Sequence, residues 1–246
     1  MPSTVANSLL SILYPQRCRL CSQLVVEHND GIACSDCWAK TKYFTGLETL
    51  CIKCGAFLHD AEPLFDTLCQ SCDGHFYDTA RATGVYHNGI AAAIIHLKST
   101  PNLAPRLRRE ITLSFSRWFA ERPTLIIPVP LSTQRKRERG FNQATVIGQI
   151  IAGSFGIRVD EYSLVRKFHT PIHRVAMDAK ARELSVKNAF EIRRKNLIEG
   201  QHIVLVDDVF TTGATASQCA RTLKKSGAAR VDVFTLGRAV SSKVER

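Results

Sequence analysis

The segment from Ile203 to Thr215 limits the fold more than any other part of the chain. It reads as an apolar strand (Ile203, Val204, Leu205, Val206), two carboxylates (Asp207, Asp208), then Val209 and Phe210. A loop of small residues follows (Thr211, Thr212, Gly213, Ala214, Thr215), and then a helical run to Ser226. An unbroken apolar strand is one covered on both faces, as strands of a parallel sheet are. A strand that hands polar residues to a short turn and a helix N-terminus forms the ligand-binding edge of an α/β sheet.

The loop has the chemistry of an anion cup. Its small residues let backbone N–H groups point at a phosphate, and the helix dipole adds to them. Threonine hydroxyls donate further hydrogen bonds. Asp207 and Asp208 then lie one sugar away, where carboxylates accept hydrogen bonds from vicinal ribose hydroxyls and attract the Mg²⁺ that accompanies a diphosphate. The order of parts matches a phosphorylated ribose. No Gly-Lys-Ser/Thr follows, so this is not a Walker A loop. A plain strand–turn–helix with one capping Asp leaves the second acid unexplained.

The surrounding sequence agrees with an α/β reading. Residues 80–86, 125–129 and 231–236 read as strands; residues 90–97, 103–119 and 143–155 read as helices. Strands alternating with helices predict a mostly parallel sheet flanked by helices. Residues 158–188 are basic and irregular, and their pattern assigns no element.

Eight of the nine cysteines fall in the first 78 residues, as the pairs Cys18/Cys21, Cys34/Cys37, Cys51/Cys54 and Cys69/Cys72. Each C-x-x-C pair supplies half of a tetrahedral Zn²⁺ site, so eight thiolates make two closed, structural Cys₄ sites. Cys18 to Cys51 spans 33 positions and Cys34 to Cys69 spans 35, an internal repeat that favours sequential pairing over an interleaved cross-brace. Both arrangements fit the spacing. Cys219 stands apart and reads as a core residue. The expected division is a zinc-ribbon module over residues 1–78, with an N-terminal helix presenting Val5, Leu9, Ile12 and Leu13. The α/β domain takes residues 79–246.

The net charge of +11 is uneven. Residues 1–78 carry a balance of −4 and residues 79–246 one of +15. The basic part favours phosphorylated small molecules or nucleic acid. After Pro128-Val129-Pro130-Leu131-Ser132 comes a cation cluster, Arg135, Lys136, Arg137 and Arg139, next to Phe141. A second basic stretch runs from Arg166 and Lys167 to Lys187, beside Phe168. Phosphate contacts by these cations and stacking on the two rings suit single-stranded DNA bound without sequence preference. A solvated basic face is the plain alternative. No apolar run reaches the ~18–20 residues of a membrane span. No export signal is evident at the N-terminus, so a cytoplasmic location is expected.

The run from Asp207 to Thr215 resembles the 5-phosphoribosyl-1-pyrophosphate motif of type I phosphoribosyltransferases, with Phe210 bulkier than the expected aliphatic residue. That resemblance implies that Asp207 and Asp208 contact the ribose, that residues 211–215 hold the 5′-phosphate, and that Mg²⁺ accompanies the ligand. It also implies that Val129, Pro130, Leu131 and Ser132 receive the pyrophosphate, with Arg135, Lys136 and Arg139 nearby. With a zinc module in front and Arg139-Gly140-Phe141-Asn142-Gln143 between the two loops, nearly the whole chain is similar to the ComF/GntX family. His173-Arg174 and Ser185 differ from the Gln and Asn common there, while Arg182 matches. The resemblance implies action on incoming single-stranded DNA in natural transformation, alongside other DNA-uptake or recombination proteins. Two other functions stay open: an adaptor that senses the ligand or holds DNA without turnover, and a transferase for a small-molecule acceptor.

Overall fold

A computed structural model describes residues 15–58, 67–69, 72–167 and 189–240. The N-terminal apolar face (Val5, Leu9, Ile12, Leu13) lies outside these residues, as do Phe168, His173, Arg174, Arg182, Ser185 and Lys187.

The described residues begin with a small hairpin, β1 (Gln16–Arg17) antiparallel to β2 (Leu24–Val25). A short helix, α1 (Ser35–Ala39), then carries Cys37 and Trp38 into the interior. From residue 80 the architecture changes. Strands β3 (Ala80–Val85), β4 (Leu125–Pro128) and β5 (Arg158–Val159) alternate with α2 (Asn88–Leu97), α3 (Pro105–Trp118), α4 (Thr133–Arg139) and α5 (Gln143–Phe155). After the small antiparallel pair β6 (Leu164–Arg166) and β7 (Phe190–Ile192) come β8 (His202–Phe210), α6 (Ala214–Lys225) and β9 (Arg230–Arg238). The five larger-sheet strands run in the order β3-β9-β8-β4-β5, and every pairing is parallel.

Alternation along β8 and β9 builds two cores. Val204, Val206, Phe234 and Leu236 meet residues of α2, α3 and α5, including Ile94, Ile111 and Ile147. Ile203, Leu205, Val231 and Val233 meet Ala216, Cys219, Ala220 and Leu223 of α6 on the other face. Cys219 is thus a core residue, fully buried. The cysteine-rich segment straddles the sheet: Cys18, Cys34 and Cys37 join the first core, while Cys51, Cys54 and Cys72 join the second.

β8 runs four residues past the apolar segment, through both acids to Phe210. Asp is a poor strand former, but that scale spans only ~1 kcal/mol. Burial of Ile203, Val204, Leu205 and Val206 contributes ~1.5–3 kcal/mol per side chain. The parallel register with β9, which continues to Phe210↔Arg238, therefore holds.

The cation cluster, to which the sequence pattern assigns no element, forms a helix, α4. Its residues are mostly good helix formers. Ser132 caps it, with Oγ accepting from the Arg135 amide at 3.3 Å, and Gly140 ends it in the left-handed region at φ 75°. Gln134 Nε2 bonds Glu138 Oε1 at 2.8 Å, one turn apart.

The zinc module also covers one sheet edge. Tyr43 bridges Gly84 of β3, the Phe44 amide donates to the Thr83 carbonyl at 3.0 Å, and the Val85 amide donates to the Lys42 carbonyl at 2.9 Å. A Cβ at position 84 would stand 2.4 Å from the Lys42 carbonyl oxygen, so this close approach requires glycine.

Candidate functional site

β8 delivers Asp207 and Asp208 to the carboxyl edge of the sheet. Burial pushes the Asp207 carboxyl well above the usual carboxylate range, and the Asp208 charge pushes it further; the Asp208 amide and Arg166 oppose this. Two acids held so close attract a cation, or hydroxyl donors, that relieve the repulsion.

Beyond the acids the chain turns at Gly213, which has φ 79° and lies immediately before α6. Thr211 is exposed, and Thr212 Oγ1 accepts from the Ala214 amide at 3.4 Å. The first-turn amides of a helix have no intrahelical acceptor, and no acidic side chain occupies this first turn. The loop is therefore an amide-lined, electropositive cup adjoining an acid pair, and it suits a phosphate joined to a polyol.

The second expected loop lies at the same sheet edge. The Val129 amide bonds the Val206 carbonyl at 2.8 Å, one residue before Asp207. Asn142 fixes this loop to α5: its Nδ2 donates to the Val129 carbonyl at 3.0 Å, and its Oδ1 accepts from the Ala144 amide at 3.1 Å. A cleft of about 210 Å³ opens there, lined by Pro130, Leu131, Lys136, Glu161, Arg166 and Arg193 among others. Arg135, Arg137 and Arg139 are not among its lining residues. Glu161 and Arg193 were not singled out from the sequence: Glu161 lies in the stretch whose pattern assigns no element, and Arg193 reaches the cleft only through the fold.

Of the described residues expected to meet DNA, Lys136 and Arg166 share the cleft of about 210 Å³, while Arg135, Arg137, Arg139, Phe141 and Lys167 are not among its lining residues. Lys136 and the half-buried Phe141 line a cavity of about 700 Å³ together with Arg108, Arg109 and Gln149. The Arg166 guanidinium lies over the Phe190 ring, 5.6 Å from its centroid. Lys167 pairs with Glu191 at 3.3 Å. Surface pairs of this kind are worth ~0–1 kcal/mol, so the pairing restrains Lys167 only weakly.

The eight cysteines gather into two groups, Cys18/Cys21/Cys34/Cys37 and Cys51/Cys54/Cys69/Cys72, with the sulfurs of each group within 4.8 Å of one another. The Sγ···Sγ distances are 3.6 Å for Cys21–Cys34, 3.6 Å for Cys51–Cys72 and 3.4 Å for Cys54–Cys69. A disulfide needs ~2.05 Å. Zn–S bonds of ~2.3 Å give a tetrahedron with edges of about 3.8 Å, so the fit is to a metal. Burial disfavours the Cys51 thiolate, but amides of Cys54, Cys69 and Lys53 overcome it and lower the thiol to about 6. Cys18 is lowered to about 6 in the same way, burial being offset by amides of Cys34, Cys21 and Leu20.

The sequential grouping puts the second tetrad beside the loop at 211–215. A Cβ on Gly213 would lie 2.7 Å from Phe210 Cζ, 2.9 Å from His75 Cε1 and 3.1 Å from Tyr77 Oη. Phe210 meets Tyr77 edge-on at 5.9 Å and lies under the Arg238 guanidinium at 4.7 Å. Its bulk fills this wall. His75, Tyr77 and Arg238 carry no sequence signal, since only the fold brings them to residue 213.

Residues 9–76 match the double zinc ribbon domain, and residues 134–246 match the phosphoribosyl transferase domain. The chain is similar to the DNA utilization protein YhgH of Salmonella typhimurium, at 36% identity over 55% of this chain and 59% of that protein. It is also similar to the competence protein ComFC of Bacillus subtilis, at 26% identity over 84% of each. The match thus spans less than two thirds of the Salmonella relative. Among solved structures, it resembles the glutamine phosphoribosylpyrophosphate amidotransferase of B. subtilis over 56% of this chain and 29% of that one, at 18% identity and a TM-score of 0.37. The fold assignment rests on the domain match and the parallel strand order instead.

Proposed function

We propose that this chain is a member of the ComF family, with a double zinc ribbon ahead of a phosphoribosyltransferase domain, and that it binds 5-phosphoribosyl-1-pyrophosphate and works on single-stranded DNA in natural transformation. The observation that carries the reading is the acid pair on β8 running directly into the Gly213 turn and the N-terminus of α6. In this reading the cup at 211–215 takes the 5′-phosphate, and Asp207 and Asp208 take the ribose hydroxyls. The turn at 129–132 and Lys136 face the pyrophosphate. The carboxylates of the acid pair are the residues that would hold Mg²⁺ with the ligand, and the two cysteine tetrads would hold structural zinc. The division into residues 1–78 and 79–246 belongs to the same reading, as does a cytoplasmic location. No helix among the described residues is long and apolar enough to cross a membrane.

The DNA part draws on the relatives, whose names are those of DNA utilization and competence proteins, and on the +15 balance of residues 79–246. Arg135, Lys136, Arg137, Arg139, Phe141, Arg166 and Lys167 are the proposed contacts. Calorimetry with 5-phosphoribosyl-1-pyrophosphate, with and without Mg²⁺, tests the ligand. Mg²⁺-dependent heat is expected, and no heat in either condition overturns the reading. Pyrophosphate release on adding single-stranded DNA or a nucleobase separates a transferase from a sensor.

A further inference from the structure

We infer that the second cysteine tetrad and the phosphate loop form one mechanical unit, with Arg238 as the positioning residue that joins them. Metal at Cys51, Cys54, Cys69 and Cys72 then orders residues 211–217. The ligand arm of the test rests on the proposed phosphate reading; the structural coupling does not.

Arg238 ends β9 in register with Phe210, the last residue of β8. It is buried. A buried guanidinium is tolerated only when its donors are used and its charge is met. Here Nη1 donates to the Cys54 carbonyl, and Nη2 lies 3.7 Å from Cys54 Sγ. A metal-bound thiolate is deprotonated, so the tetrad supplies both the acceptor and the opposite charge. The same guanidinium covers Phe210, whose ring borders Gly213.

A second tie runs through the chain itself. The His75 amide bonds the Cys72 carbonyl at 3.1 Å, so the metal-ligand turn leads straight into His75 and Tyr77. These two side chains are joined at 2.5 Å, between His75 Nδ1 and Tyr77 Oη, and form the rest of the wall against Gly213. Between them, the Phe76 amide donates to Ser217 Oγ on α6 at 3.2 Å. Both parts line one cavity of about 680 Å³: Cys54, Cys69 and Cys72 of the tetrad, and Thr211 and Thr212 of the loop.

The first tetrad packs elsewhere. It shares the first core with Trp38, whose ring lies against Gly89 of α2 and whose indole N–H donates to the Asp30 carbonyl; Asp30 in turn pairs with Arg106 of α3 at 3.0 Å. It therefore serves as an internal control. Coupling between two sites is reciprocal, so a ligand that orders the loop must also retain the second metal ion.

Hydrogen exchange of the full chain tests this. Cys69→Ser removes one ligand from the second tetrad, and Cys21→Ser removes one from the first. Amides of residues 211–217 are expected to exchange about tenfold faster in Cys69→Ser and at the parent rate in Cys21→Ser. Arg238→Met keeps all eight thiols and is expected to speed the same amides with both zinc ions retained. Parent-like exchange at 211–217 in Arg238→Met overturns the inference, including in the case where Cys69→Ser fails to fold. For the ligand arm, 5-phosphoribosyl-1-pyrophosphate with Mg²⁺ is expected to slow zinc release to a chelator from one of the two sites. If it does not bind but the exchange responds, the coupling stands and the phosphate reading falls. If it binds while zinc release and exchange are both indifferent, the coupling falls and the phosphate reading stands.

Discussion

The backbone amide of Asp208 donates to Oδ1 of Asp207 at 2.9 Å, opposing the burial and the like charge that push the Asp207 carboxyl up. An acid raised in the folded chain binds its proton more readily there than when unfolded. Folding stability then falls as pH rises through the raised value, and it is fully present below the unfolded value. Asp207→Asn removes this penalty. Its melting temperature should exceed the parent's by a few degrees at about pH 8 and match it at about pH 3, below the ordinary Asp value of ~3.9. Thermal scans without Mg²⁺ or ligand check this.

The same acids should be needed for binding. Asp207→Asn combined with Asp208→Asn removes two charge-assisted hydrogen bonds worth ~1.5–3 kcal/mol each, so affinity for 5-phosphoribosyl-1-pyrophosphate should fall about 100-fold or more. Calorimetry reads the affinity, and far-ultraviolet circular dichroism should show an unchanged fold.

Gly213→Ala places a methyl group where His75 and Phe210 already stand, at a φ of 79° that disfavours any side chain. The expected cost is ~1–3 kcal/mol in urea unfolding, with loss of phosphate binding, since the loop must move to make room.

Elemental analysis of protein purified without chelator should find two zinc ions per chain, one for each tetrad. Changing both Cys51 and Cys54 to Ser should leave one.

Single-stranded DNA should bind at low salt and dissociate steeply as salt rises. Each phosphate contact on a single strand adds ~0.7 to the logarithmic salt slope. Replacing Arg135, Lys136 and Arg137 by Ala should therefore flatten the slope by up to about 2. Fluorescence anisotropy at stepped salt concentrations reads it, and an unchanged slope places the DNA elsewhere.

The parallel sheet was legible because its central strands are apolar on both faces; Ile203 to Val206 and Leu125 to Ile127 announce themselves. The cysteine spacing announced the tetrads in the same way. What the sequence left unread is of two kinds. Residues 133–139 are polar on every side, with none buried, so no periodicity marks the helix; only Ser132 and Gly140 at its two ends do. Arg238, His75 and Tyr77 act through contacts made across the fold, and a linear pattern holds no trace of those.

The bridge between Tyr43 and Gly84 reaches beyond packing. β3 is an outer strand of the sheet, and an outer strand left bare offers its amides and carbonyls to any other chain. Lys42, Tyr43 and Phe44 occupy that row. A chain trimmed to begin at Thr79 would uncover it, along with the apolar ground beneath Trp38. Such a fragment should self-associate edge to edge, with insolubility on expression as the visible sign. For this sheet the cysteine-rich segment is a built-in guard against aggregation.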